Sequence, residues 1–441
     1  GPWPATMVTS RNIISVYKTP AISYNAKCIF TNTVPTGPYR GAGRPESKFF
    51  LERLIDKAAE EMGIDRIELR RRNLISPDML PHETPVDLTY DSGEFETIMD
   101  MCLDRADYSG YAARKEASEI DGKIRGIGVA PYLETTAGPG TELADIRFEE
   151  DGSVTLVTGN KDFGMGHATP FAQVLSAQLG IPFEAINLVQ YDSDEMSPGA
   201  GGSGGSRSMI AASGAIIECA ETIVDNGKKL AGHFLEAAVE DIEFADGVFT
   251  VAGTDRNIGI MTLAEKAREL SGTGDLPDDL SHKVNHNTAP ISFPNGCHVA
   301  EVEIDPDTGV IGIDRYTVVD DFGVVVNPMI VEGQVHGGIA QGIGQVLAED
   351  TIYDEDGQLV TGTYLDYQLP RADDIAHIEF TTHAVPCKTN PLGVKGCGEA
   401  GNGGSYPVIY NAIMDALNGN GGKELGIPAT PQRIWQALQG N

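Results

Sequence analysis

A chain of 441 residues, 41% hydrophobic and 22% charged, is too long for one ordinary domain and apolar enough to bury a substantial core, which excludes an intrinsically disordered protein. Its 64 acidic against 32 basic residues give a net charge of -32, so nucleic acid and anionic membrane are poor partners and the excess reads as a solvated face. Six single cysteines without a C-x-x-C pair, and nine histidines without H-E-x-x-H spacing, exclude a local zinc knuckle or Fe–S run.

Scattered thiols fit a reducing cytoplasm, and no apolar run reaches membrane-spanning length. In chain order, AISYNAKCIFTNT at 21–33 alternates apolar and β-branched residues and predicts a strand, whose neighbours are expected in sequence outside this chain. Residues 46–73 show three- and four-residue apolar spacing and predict helices, whereas 75–110, with SPDMLP and HETPVD, read as a turn-rich join between lobes. IRFEEDGSVTLVTGN predicts two strands around an Asp-Gly hairpin, followed by the loop NKDFGMGHATP and the helix PFAQVLSAQLG. IPFEAINLVQYDSD returns to a strand, then GAGGSGGSRSM leads into a long helix over 210–236. DGVFTVAGTDRNIG predicts a further hairpin, and 271–290 a polar surface excursion. Strands resume at CHVAEVEIDPDTGVIGIDRYTVVDDFG, a glycine-bearing helix follows at 331–350, and the last unit carries GVKGCGEAG into SYPVIYNAIMDAL. Without strict βαβ alternation, this is an α+β chain of large mixed α/β lobes, not a Rossmann fold.

GCGEAG at 396–401 matches G-x-G-x-x-G, but a dinucleotide fingerprint needs an acidic residue about 20 positions on at the end of a strand. Around Gly421, NGNGGKELG has no strand ending in such a carboxylate, and Glu399 would repel a diphosphate. Glu399 is then either a cap for the helix expected near Tyr406 or a base presented by flanking glycines. Without a basic neighbour in sequence, a carboxylate in apolar surroundings is tuned toward general-base duty. GGSGGSRS at 201–208 offers amides, hydroxyls and Arg207 to a phosphate, or is a flexible linker. FGMGHAT at 163–169 leads into a helix, so its amides suit an anion, while His167 is equally an ordinary satisfied histidine. In PYRGAGRPE, Arg40 either serves the site or pairs with Glu46; Gln334 and Gln341 share a helix face, for a ligand or for close packing. Together these loops demand a long polar ligand.

FTNTVPTGPYRGAGRPE, NKDFGMGHAT, GGSGGSRSM, VEGQVHGGIAQGIGQ and NPLGVKGCGEAG, in that order, resemble the molybdenum-binding large subunit of the molybdenum hydroxylases. This is the xanthine oxidase family, with aldehyde oxidoreductases, N-heterocycle hydroxylases and aerobic carbon monoxide dehydrogenase-like proteins. The resemblance covers essentially the whole chain. It implies the fold of the molybdenum-cofactor-binding domains, with residues 1–95 ending a first such domain and 96–441 forming a second. It implies a molybdopterin cofactor, in its cytosine dinucleotide form, with molybdenum held by the pterin dithiolene and by no protein side chain.

By the same resemblance Glu399 is the active-site base and Arg40, with Tyr39, faces the metal. Gly164, Met165, Gly166, His167 and Thr169 match the pterin and phosphate loop, and Gly205, Ser206, Arg207 and Ser208 a cofactor-contacting turn. Gln341 matches an amide at the pterin, and Lys395 and Gly396 precede the base. Met165 departs from the family's glutamine and cannot donate amide hydrogen bonds. The Tyr39–Arg40–Gly41 loop lacks the Arg-Cys-Ser stretch of true carbon monoxide dehydrogenases, which disfavours CO oxidation. The implied activity is hydroxylation of a small heteroaromatic or aldehyde-type substrate with oxygen from water. The implied assembly is a dimer of heterotrimers, with a 2Fe–2S small subunit, a FAD-binding medium subunit and the N-terminal part of the large subunit. Alternatives are a form II carbon monoxide dehydrogenase-like protein and a cofactor-free scaffold.

Overall fold

The computed structural model describes residues 3–136, 140–190, 192, 194–195, 202–270, 276–418 and 425–440. The GAG at 199–201, the start of the 271–290 stretch and most of NGNGGKELG lie outside them. In chain order come α1 (Trp3–Asn12), α2 (Arg44–Met62), α3 (Arg66–Asn73), the short hairpin β1 (His82–Glu83) and β2 (Thr89–Tyr90), α4 (Phe95–Arg105) and α5 (Tyr111–Ile120). Next are β3 (Ile124–Leu133), β4 (Thr141–Phe148), β5 (Val154–Thr158), α6 (Ala168–Leu179), β6 (Ile186–Gln190) and α7 (Ser208–Phe234). β7 (Ile242–Ala245), β8 (Val248–Val251), β9 (Asn257–Gly259), α8 (Ile260–Ala267) and β10 (His282–Asn287) follow. The chain closes with β11 (Asn295–Ile304), β12 (Ile311–Asp321), α9 (Pro328–Leu347), β13 (Ile378–Thr382), α10 (Ala400–Leu417) and α11 (Pro431–Leu438).

Two four-stranded sheets organise these elements, ordered β13-β12-β11-β3 and β10-β4-β5-β6. Among the described residues only β12–β13 and β5–β6 pair parallel, so the class is α+β and the sheets are not Rossmann-like. α10 lies so close to β3 that a Cβ on Gly128 would sit 2.0 Å from the Val408 carbonyl oxygen. Val408, Ile409 and Ile413 of α10 form one core with Ala300, Val302 and Val318 of the sheet. A second core joins β4 and β5 to α6 and α7 through residues such as Leu156, Phe171 and Ile216. The helix starts have local causes. Asp65 accepts from the amides of Ile67 and Glu68, and Asn327 from Ile330 ahead of Pro328 at the first turn of α9.

Three expectations fail. Residues 21–33 form no strand: they run over the surface without a ladder, and Phe30 is 96% exposed. A β pattern becomes a strand only beside another edge, and none meets it here. The 75–110 stretch contains α4, whose Phe95, Ile98, Met99, Cys102 and Leu103 are buried at helical spacing. The 271–290 excursion contains β10, which pairs with β4 as an edge strand; only Val284 of its six residues is buried, so apolar alternation could not reveal it. The helical opening α1 was also not anticipated.

Candidate active site

Two helices set one wall of the site. α9 carries Gln334 and Gln341 on a face that glycines hold against α10, where a Cβ on Gly342 would meet the Ser405 hydroxyl at 1.8 Å. Arg40 bridges this pair to the loop before α10. Its Nε donates to the Gly398 carbonyl (2.6 Å), Nη1 to Gln341 Oε1 (3.0 Å), and Nη2 to Gln334 Oε1 (2.8 Å) and its carbonyl (3.1 Å). Both glutamine oxygens are therefore occupied, which leaves their NH₂ groups as donors. The alternative pairing of Arg40 with Glu46 is not formed. Burial pulls the guanidinium down from its ordinary value.

Glu399 sits immediately before α10, yet its side chain makes no capping hydrogen bond. Oε1 instead accepts from the Gly41 amide (3.0 Å), and Oε2 from Arg44 Nη1 (3.1 Å) and the Ser206 hydroxyl (3.2 Å). The cap reading thus falls, and the basic partner that sequence neighbours do not supply comes from Arg44 across the fold. Arg44 comes four residues after Arg40, brought back by the turn over 40–43 that precedes α2. A second carboxyl, Glu134 at the end of β3, adjoins this cluster. Its Oε1 lies 2.9 Å from the Ser206 hydroxyl oxygen, and it comes within 3.5 Å of Arg44 Nε. Burial pushes Glu134 up to about 8, and its Oε2 has no partner among the described residues. Ser206 reaches both carboxyls from a left-handed backbone (φ 57°), and a Cβ on Gly396 would come 1.9 Å from its carbonyl oxygen.

The opposite wall comes from the loops ahead of α6 and α7. In 163–167 the amides do meet an anion, but it is the chain's own Asp162. Its Oδ1 accepts from Gly164 and Met165 (2.6 Å each) and Gly166 (3.3 Å), and Oδ2 from His167 (2.7 Å). These amides hold the Asp162 carboxyl below its ordinary range. The His167 ring stacks on Phe171 at 5.0 Å, and burial lowers its basicity, so it behaves as a neutral packed ring.

Between the walls lies a cavity of about 580 Å³. Arg40, Gly164, Met165, His167, Gly205, Ser206, Ser208, Gln341, Lys395, Gly396 and Glu399 all line it, together with Gln334. An apolar stretch from Phe171, Met209, Val324, Val326 and Ile330 completes the lining. Tyr39, Gly166, Thr169 and Arg207 are not among the lining residues. Thr169 lies in the first turn of α6, and Arg207 Nε turns back to the Gly202 carbonyl (3.2 Å). Lys395 borders the cavity, but its ammonium is buried and paired with Asp321 at 2.5 Å. Ser206 likewise directs its hydroxyl to the two carboxyls. Burial pushes the Cys397 thiol up to about 12, which makes it a poor nucleophile.

Arg44, Glu134 and Asp162 were missed as site residues. Arg44 stood inside the quoted PYRGAGRPE, and an Asp just before a glycine-rich turn is a recognisable amide acceptor. Glu134 carried no local signal.

Residues 101–376 and 3–74 each match a molybdopterin cofactor-binding domain. The chain is 34% identical to the 6-hydroxypseudooxynicotine dehydrogenase complex subunit gamma of Paenarthrobacter nicotinovorans over 98% of this chain and 55% of that protein. It is 33% identical to the nicotine 6-hydroxylase large subunit of the same organism, over 99% and 55%. The crystal structure of quinoline 2-oxidoreductase from Pseudomonas putida 86 superposes with a TM-score of 0.91 at 32% identity, covering 98% of this chain and 57% of that one. The chain spans about half the length of the curated relatives it matches.

Proposed function

The chain belongs to the molybdopterin cofactor-binding family, and from that premise we propose that it forms the catalytic part of a molybdenum hydroxylase. Its substrate would be a small N-heteroaromatic or aldehyde-type molecule, oxidised at carbon with oxygen from water. The cavity suits the group. Its volume falls within the roughly 300–1,000 Å³ of ligand sites, and bare-backbone loops border it. A Cβ built on Gly164 or Gly204 would meet only open space, so either loop leaves room for a bulky ligand. Gln334 and Gln341, oriented by Arg40, would hold the pterin, and the 203–206 turn would take its phosphate end. Met165 in the Asp162-bound loop would offer a thioether and backbone.

When bound, the molybdenum centre supplies the two-electron oxidation of the substrate carbon. The protein's part is to orient and to move a proton. Glu399 accepts that proton, held in place by the Gly41 amide, Arg44 and Ser206. Arg40 fixes the two amides and the Gly398 carbonyl, which sets where the reacting group stands relative to the carboxylate. The apolar side, from Phe171 to Ile330, excludes water. One observation carries this reading: a single cavity is lined at once by a lone carboxylate held on charged and neutral donors and by oriented amides.

The finer reading is a cytosine dinucleotide form of the cofactor and a cytoplasmic assembly. In it, 2Fe–2S and FAD subunits carry electrons away and a further large-subunit portion completes the site. The names of the relatives as a subunit gamma and a large subunit support an assembly. The two matched stretches support a division of the chain near residue 95. The test is metal analysis and turnover of the complex isolated with its partners. About one Mo per chain, with Glu399→Gln keeping Mo but losing turnover by about 10²–10⁴-fold, is the expected result. Absence of Mo from the assembled complex would favour a scaffold, and near wild-type turnover of the variant would remove Glu399 as the base.

A further inference from the structure

The proposed reaction uses one carboxylate, yet the site holds two. Glu134 and Glu399 come from different elements, the end of β3 and the start of α10, and meet at one hydroxyl. Ser206 Oγ lies 2.9 Å from Glu134 Oε1 and 3.2 Å from Glu399 Oε2, and it also accepts the Glu399 amide at 3.0 Å. Arg44 reaches both carboxyls, through Nε to Glu134 and Nη1 to Glu399. Two carboxyls facing one guanidinium are balanced when they retain one proton between them. A hydroxyl between them can take that proton from one side while giving its own to the other.

We propose that Glu134 is a positioning residue for the base, sharing one proton with Glu399 through the Ser206 hydroxyl. In the resting state the proton lies on Glu134, whose O–H donates to Ser206; Ser206 in turn donates to Glu399, leaving a carboxylate ready to accept. No bond other than these O–H bonds changes, and the pair's charge is unaltered by the shuttle. The surroundings agree on which member holds the proton. Glu134 is nine-tenths or more buried with an orphaned Oε2, whereas Glu399 borders the cavity. Burial pushes Glu134 up to about 8, with the neighbouring Glu399 charge adding to it. The other groups whose charges interact with Glu134 are Lys48 on α2, Tyr132 on β3, Asp320 on β12, and Arg40 and Cys397 at the cavity. Of these, Asp320 is itself buried and raised, so it adds little negative charge, and Lys48 is lowered to about 7 by burial.

This inference rests on Glu399 serving as the base, but its test does not depend on turnover. Infrared difference titration of the full chain follows protonated carboxyls directly. The wild type should show a carboxylic acid that ionises near pH 8 and is lost in Glu134→Gln. In Glu399→Gln the same group should titrate lower, by about one pH unit or more, because the adjacent charge is gone. Ser206→Ala, which leaves both carboxyls in place, should also move the midpoint and guards against a misfolded Glu134 variant. An unchanged midpoint in both Glu399→Gln and Ser206→Ala would overturn the sharing. A second arm is the pH profile of kcat/KM in the assembled complex. It should lose its limb near pH 8 in Glu134→Gln, and retention of that limb would overturn the proposal. If Glu399→Gln keeps turnover while the midpoint still shifts, the sharing stands and the proposed base role fails.

Discussion

Replacing Glu134 by glutamine should make the chain's stability respond differently to pH, with a sign that follows from its burial. An unfolded glutamate titrates near 4.5, whereas in the fold burial pushes Glu134 up to about 8. Below pH 4.5 the carboxyl is protonated in both states and contributes nothing to the pH dependence. Between 4.5 and 8 the folded state keeps a proton that the unfolded chain has released, so wild-type stability falls as pH rises. The slope is about 1.4 kcal/mol per pH unit. From pH 4.5 to 7 that is 2.5 units, or about 3 kcal/mol. Glutamine carries no such proton. The stability of Glu134→Gln relative to wild type should therefore rise by about that amount between pH 4.5 and 7, continue to rise towards pH 8 and level off above it. Glu52 and Glu142, also raised by burial, are present in both proteins and cancel in the difference, and Asp320, whose upward shift comes first from burial, remains raised in both. Urea unfolding of both chains at pH 5, 6, 7 and 8 measures the gap. A gap that stays constant over this range would refute the account of Glu134 as a protonated buried acid.

Asp162→Asn should loosen the 163–167 turn by about 1–2 kcal/mol, since one acceptor oxygen is replaced by a donor facing the His167 amide; faster amide exchange at 164–167 checks it. Because Asp162 is held below its ordinary range, its contribution is present above pH 3.8 and lost as pH falls through the folded value. Gly342→Ala should force α9 off α10 and cost about 1–3 kcal/mol, read as a lower urea midpoint; an unchanged midpoint would contradict the packing described. Arg207→Ala frees the Gly202 carbonyl and should lower the Mo content of the isolated complex, whereas full Mo would remove Arg207 from cofactor retention.

Local chemistry made much of this molecule readable. The β4–β5 hairpin announces itself through Asp-Gly between alternating runs, and α6 and α7 through continuous apolar spacing. Glu399, Arg40 and the glycine-bordered loops were legible because their unusual composition is contiguous. What stayed hidden depends on distant neighbours. β10 is polar along its length and becomes a strand only because β4 offers an edge. The 21–33 segment has the opposite character, a strand's composition with no edge beside it. Glu134 ends an otherwise apolar strand, and only the return of α10 over β3 gives that position a chemical meaning. Asp162 shows a subtler failure: the amide cradle was seen, but its occupant was sought outside the chain.

The glycine contact between α9 and α10 also determines where this protein can be altered to accept different molecules. With Gly342 against Ser405, and Gly338 beside Gly401, the two helices are packed in close contact along this seam. That seam, with the Arg40 bridge across it, sets the spacing of Glu399 from Gln334 and Gln341. Redesign of scope belongs on the facing side, at Phe171 of α6 and Met209 of α7, where a changed side chain reshapes the opening away from Glu399 and the two amides.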